Sequence, residues 1–392
     1  MKKWSKIVVT GMLASGVLAG CSSNDEEVKI APLPLIQATV EITNDWEHSV
    51  GDGSEGFFSK LMPAVAYGKV FASDRDGIVA AFDQNDGKEL WSVSVAEDSS
   101  MFSKTPSAQL SGGIATGYQK LAIGAESGML YILNEHDGSI VWQKQLNGEI
   151  LSKPLLAMNK VIALMGNGKV VAFDIDSGEE SWTYQQDVPA LTLRGTSGLV
   201  ENQGAAFFGL PSGKIAGTLL EDGRAIWEAV VTPATGGNEL TSIIDIDSTP
   251  VILGTTMYAV GYNGNLAAIE VRSGKVLWKR DYSAFQALAI NGFNLFLTTD
   301  TGHVFAIDRR SGLEVWSQMG LENRDLTAPA VVGDYVAVVD FEGYLHLLSQ
   351  ETGEFVGQKE IDDDGHIATP LSVDGRLYLQ SKDGLLSAHS IK

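Results

Sequence analysis

Seven of the eight tryptophans, all but Trp4, constrain this chain more than any other feature, because six of them follow a glycine by four residues in a recurring unit. The pairs are Gly87/Trp91, Gly138/Trp142, Gly178/Trp182, Gly223/Trp227, Gly274/Trp278 and Gly312/Trp316. A seventh copy at Gly353 carries Gly357 where tryptophan is expected. Ten residues before each of these glycines stands another: Gly77, Gly128, Gly168, Gly213, Gly264, Gly302 and Gly343, with an eighth, Gly384, near the C-terminus. The spacing averages about 44 residues, which is the size of one repeated supersecondary unit.

Between the two glycines of each unit lies a short apolar run, such as Ile78 to Phe82 or Val170 to Phe173. The entering turns read Asp76-Gly77, Asn167-Gly168, Asn263-Gly264 and Asp383-Gly384. These residues tolerate φ > 0 and favour tight hairpins. Further strands precede each unit, many opening at a proline: Pro63, Pro106, Pro154, Pro250, Pro329 and Pro370. Four strands in about 44 residues make one blade of a propeller. The expected fold is all-β: an eight-bladed β-propeller of four-stranded antiparallel blades over residues 41–392. Trp46 has no glycine four residues before it. It is expected on the outer strand of the last blade, so that pairing of the N- and C-terminal strands closes the ring and removes exposed edges. The tryptophans are expected as wedges between blades, since each can bury 150–250 Å².

The chain has 392 residues with 28 Lys+Arg against 49 Asp+Glu, a formal charge of −21. That balance excludes nucleic acid, which is bound through clustered Lys and Arg, and a basic patch on anionic lipid. The lone cysteine, Cys21, rules out an intramolecular disulfide. Lys2, Lys3 and Lys6 precede an apolar stretch from Ile7 to Leu18. A helix of that length spans only about 18 Å, short of the ~30 Å hydrocarbon core, so residues 1–20 read as a signal peptide. Leu18-Ala19-Gly20-Cys21 resembles the bacterial lipobox, whose cysteine becomes the lipidated first residue of the mature chain. By the same resemblance, Ser22 in place of Asp implies sorting to the outer membrane. Residues 21–40 then read as lipidated Cys21 followed by a flexible, Pro-containing tether.

The unit Asp83-x-x-Asp86-Gly87-Lys88-Glu89-Leu90-Trp91, repeated at Asp174 to Trp182, is similar to the tryptophan-docking repeat of pyrroloquinoline-quinone dehydrogenases. Together with the lipobox, the tether and eight such units, it resembles the BamB family of lipoproteins of the outer-membrane β-barrel assembly machinery. The resemblance implies binding to the periplasmic POTRA domains of the barrel subunit BamA, and assistance to the insertion of nascent outer-membrane proteins. Two segments carry the closer likeness, Ala190-Leu191-Thr192-Leu193-Arg194-Gly195 and Asp245-Ile246-Asp247-Ser248-Thr249-Pro250. The resemblance assigns Leu191, Leu193, Arg194, Asp245 and Asp247 to the BamA-binding surface.

The repeat bears on these residues independently. Arg194 precedes Thr196-Ser197 as Asp247 precedes Thr249-Pro250, so the two hold equivalent places in successive blades. Both fall in connections from an outer strand to the next inner strand, on the face of the entering turns. Loops on a rigid scaffold are where binding tends to reside. A purely structural alternative pairs Arg194 with the two aspartates themselves. A quinone-dependent dehydrogenase is a competing reading, but the adjacent cysteine pair typical of those enzymes is absent. No Gly-x-Ser-x-Gly or His-Glu-x-x-His motif occurs, and Gly209 to Lys214 is one residue short of a phosphate loop. The six histidines lack metal-ligand spacing, and the Asp-rich turns lack the later Glu of a calcium loop. Neither enzyme activity nor a cofactor or metal is therefore expected. The third reading is a chaperone-like propeller that binds unfolded clients directly by strand addition.

Overall fold

The computed structural model describes residues 28–392 apart from 55, 97–105, 187–188, 190–191 and 234–243. The signal peptide, Cys21 and Leu191 lie outside the described residues. Among the described residues, thirty-two strands form eight four-stranded antiparallel sheets and there is no helix. Each blade runs outward from a short inner strand. In the third blade the order is Leu155–Ala157, Lys160–Leu164, Lys169–Asp174 and Glu180–Gln185. The apolar run between the two glycines is the third strand, buried on both faces because a neighbouring blade covers each. The outer strand alternates exposed and covered positions, as a half-solvated strand should.

Closure occurs as the sequence implies. Ile42–Ser49 pairs antiparallel with Leu385–Ile391, and Trp46 stands opposite Ala388 on the outside of the eighth blade.

The tryptophans join neighbouring blades. Trp182 donates its indole N–H to Leu220 O at 2.9 Å, and its ring lies against Gly223 in the following blade's turn. A Cβ at Gly223 would sit 2.5 Å from that ring, on a residue whose φ is +74°, so glycine is required there twice over. The same stacking and the same N–H to carbonyl bond recur from Trp46 round to Trp316. Opposite most of these tryptophans stands a small residue on the third strand, such as Ala81, Ala172 or Gly217.

Gly357 departs from the pattern for a reason that closure supplies. The eighth blade has no turn between its third and outer strands, because the chain ends on one and begins on the other. A tryptophan at 357 would have no glycine to stack on. Thr39 and Val40 instead lie along this strand, both donating their amide N–H to Val356 O, at 2.8 and 3.0 Å. Leu347 stands opposite Gly357, so the large and small partners have changed places.

Candidate protein-docking site

The connections from outer to inner strands share a face with the entering turns. Val231, just past an outer strand, donates to the carbonyl of Gly213 in such a turn at 3.0 Å. On this face the 192–198 and 244–249 connections are stitched together. Ser197 Oγ donates to Ser248 O at 3.0 Å, and the Gly198 amide donates to Thr249 Oγ1 at 3.2 Å. The Asp247 carboxylate presses on Gly195, where an added Cβ would come within 2.2 Å of Oδ2. The two motifs read from the sequence are therefore in contact.

Their residues have different exposures. Asp245 is 2% exposed, and its backbone forms an isolated bridge with Tyr262. The backbone amides of Ile246 and Leu193 bear on its carboxyl and favour the charged form. Burial, and then the Asp247 charge, push the Asp245 carboxyl up to about 8. Burial also raises Asp247, to about 6, with Lys60 pulling the other way. Asp245 Oδ2 and Asp247 Oδ1 are buried without a hydrogen-bond partner among the described residues. A proton held between them satisfies both atoms, and two adjacent buried carboxyls retain one for that reason. Leu193 is half-buried and Arg194 exposed.

Arg194 does not pair with the aspartates. Its Nη2 reaches Glu126 Oε2 at 2.9 Å and Glu149 Oε1 at 3.1 Å. Glu126 is held from the other side by Arg75, through Nε at 3.2 Å and Nη2 at 3.1 Å. Burial would raise Glu126, but the bonds from Arg75 and Arg194 outweigh it and hold the carboxyl below its usual range. The Arg75 guanidinium in turn lies 3.6 Å from the centre of the Phe57 ring. Beside this chain of charges is a small cleft of about 50 Å³, lined by Phe58, Lys60, Arg194, Gly195, Asp247 and Phe285 among others. The Lys60 ammonium sits 5.6 Å from the Phe58 ring centre and 5.7 Å from that of Phe285, and burial pushes its pKa down. Phe57 and Phe58 are 46% and 54% exposed, and Phe58 adds apolar surface to the cleft that Arg194 lines.

Glu126, Arg75, Phe57, Phe58 and Lys60 were not among the residues expected from sequence. Arg75 and Glu126 each stand two residues before an entering-turn glycine, a position the repeat places on this face. The Phe57-Phe58 segment lies between the closing strand and the first blade, where no repeat register applies. Among the described residues, Asp362, Asp364 and Asp383 bring carboxylate oxygens within 4.8 Å of one another, on the connection into the eighth blade and that blade's entering turn.

The family model described as "Outer membrane protein assembly factor BamB" matches residues 46–115 and 75–318. A relative of that name from Shewanella oneidensis is 43% identical over 99% of this chain and 99% of its own length. The chain belongs to the BamB family. The crystal structure of BamB from Moraxella catarrhalis is similar in fold, with a TM-score of 0.79 and 24% identity, covering 89% of this chain and 100% of that one. A quinohemoprotein alcohol dehydrogenase from Comamonas testosteroni has the same kind of propeller at 15% identity and a TM-score of 0.69, over 89% of this chain and 76% of the enzyme. At that identity the likeness is one of fold alone, whereas the BamB relationship extends along the sequence.

Proposed function

We propose that this chain is a non-enzymatic scaffold in the assembly of outer-membrane β-barrel proteins, anchored through lipidated Cys21 at the periplasmic face of the outer membrane. Its docking patch is the joined pair of connections at 192–195 and 245–247, and its partner is the periplasmic POTRA region of BamA. Through that contact it assists folding and insertion of nascent outer-membrane proteins. The observation that carries this reading is the seating of Asp247 on Gly195, which fixes the backbone presenting Leu193 and Arg194. Leu193 supplies an apolar contact and Arg194 a charged donor on a rigid support, the combination that concentrates binding energy. Asp245 is too deeply buried to meet a partner, and its role is to support the connection beneath Asp247.

Photo-crosslinking from position 193 in growing cells tests the proposal. Products with the barrel subunit are expected. Products with nascent clients alone would overturn it in favour of direct client binding.

A further inference from the structure

The N-terminal segment is gripped before it reaches the closing strand. The Ala31 amide donates to Glu322 O at 2.9 Å, Asn323 Nδ2 donates to Lys29 O at 3.0 Å, and Arg324 Nη1 donates to Ala31 O at 3.1 Å. Arg324 is a built element, its side chain only 3% exposed. Its Nε donates to Asp340 Oδ2 at 2.7 Å, its Nη2 pairs with Glu342, and its guanidinium lies 5.3 Å from the Phe341 ring centre. Asp340 is wholly buried and is also bonded by His346 at 2.9 Å. Burial raises the Asp340 carboxyl, but its His346 and Arg324 partners prevail and keep it low, so a charged acid stands behind Arg324. A buried, oriented guanidinium thus spends one N–H on the chain's own terminal segment. Downstream, Leu35 is fully exposed, and the second grip is the pair of bonds from Thr39 and Val40 to Val356.

Residues 321–324 belong to the connection from the sixth blade to the seventh. Asn323 donates from its backbone to Thr301 O, in the sixth blade's entering turn, at 2.8 Å. The clip is therefore on the same face of the ring as Arg194 and Asp247.

We infer that the connection between blades six and seven is a clip that shortens the lipid leash and fixes which rim of the propeller is tethered to the bilayer. The inference rests on the lipid anchor at Cys21 proposed above. From Cys21 to Lys29 there are eight residue steps, at most about 28 Å when fully extended. Were the chain free up to Thr39, where the second grip begins, the reach would be about 63 Å. The clip thus holds the rim of blades six and seven close to the membrane. It presents the docking face, with Arg194 across the ring from the leash, to a partner at the same membrane surface.

The test uses the full lipidated chain in vesicles of phosphatidylethanolamine and phosphatidylglycerol. A donor dye on Asp363→Cys, an exposed residue near the clip, reports energy transfer to headgroup acceptors. About a dozen Gly/Ser residues inserted between Val28 and Lys29 lengthen the leash, and should lower the transfer about two-fold. The same insertion after Leu35, between the two grips, should leave it unchanged. Equal falls for both insertions, or no change for either, would overturn the clip. The mass of the N-terminal peptide and vesicle binding of Cys21→Ser read the lipid anchor separately, so failure of the anchor is distinguishable from failure of the clip.

Discussion

Asp247 and Gly195 lie in consecutive blade connections, and the aspartate carboxylate occupies the space where a side chain on Gly195 would begin. Gly195 does not have a positive φ, so the objection to a larger residue there is steric. Gly195→Ala should therefore displace the backbone that presents Leu193 and Arg194, at a cost of about 1–3 kcal/mol from overpacking. Adding Asp247→Gly should recover part of that cost, a coupling expected of residues in contact. Denaturant unfolding of the two single variants and the double variant checks this; strict additivity would show that the contact is not tight.

The paired carboxyls give the patch a pH signature. Both Asp245 and Asp247 have folded pKa values raised above 3.8, to about 8 and about 6. The folded state then binds more protons than the unfolded one over that range, so this pair's contribution to stability falls as pH rises from 4 to 8. Buried His366 and His389, both lowered to about 4 mainly by burial, act in the opposite direction between pH 4 and 6.5. The window from pH 6.5 to 8 lies above the range of the histidines and within that of the acid pair, and comparison with a variant that keeps Lys60 and Lys153 reads the pair's share. Across it, wild type should lose about 1–2 kcal/mol relative to Asp245→Asn/Asp247→Asn, a difference of a few degrees in Tm. Parallel Tm profiles for the two proteins would mean that no proton is held there.

The wedges and the exception at 357 make opposite demands. Trp182→Ala removes a buried indole and its bond to Leu220, and should cost about 3–5 kcal/mol. Gly357→Trp should destabilise rather than improve the seventh blade, because Leu347 stands opposite and Val40 O lies 3.3 Å from where a Cβ would be. Thermal unfolding of both variants decides the matter. A stabilised Gly357→Trp would show that the missing tryptophan is an accident and not a consequence of closure.

Much of the fold was legible because a propeller repeats one local solution. Each Asp-Gly or Asn-Gly turn and each Gly-to-Trp spacing reports its own blade, and Trp46 identified the closing strand by lacking a partner glycine. Contact between the two motifs was legible too, since Arg194 and Asp247 hold equivalent places in adjacent blades. The partners of Arg194 were not. Glu126 and Glu149 lie near the second blade, and their approach depends on how far a long side chain reaches over the curved face, which no local pattern encodes. Residues 29–31 read as tether because a polar, Pro-containing stretch has no periodicity, yet backbone groups there are bound by Asn323 and Arg324. Lys60, which faces Asp247, lies in a segment outside the repeat and so had no register to locate it.

The most direct test of the proposed docking patch is calorimetric titration of the soluble body with the isolated periplasmic domains of the barrel subunit, using wild type, Leu193→Ala and Arg194→Ala. Arg194 is half-exposed, and Glu126 keeps its two bonds to Arg75 without it, so Arg194→Ala should cost no more than about 1 kcal/mol of stability and leave the Tm nearly unchanged. Each variant should bind at least about ten-fold more weakly, a loss of about 1.4 kcal/mol. Unchanged affinity in both variants, or weaker binding only in step with a lower Tm, would contradict the account.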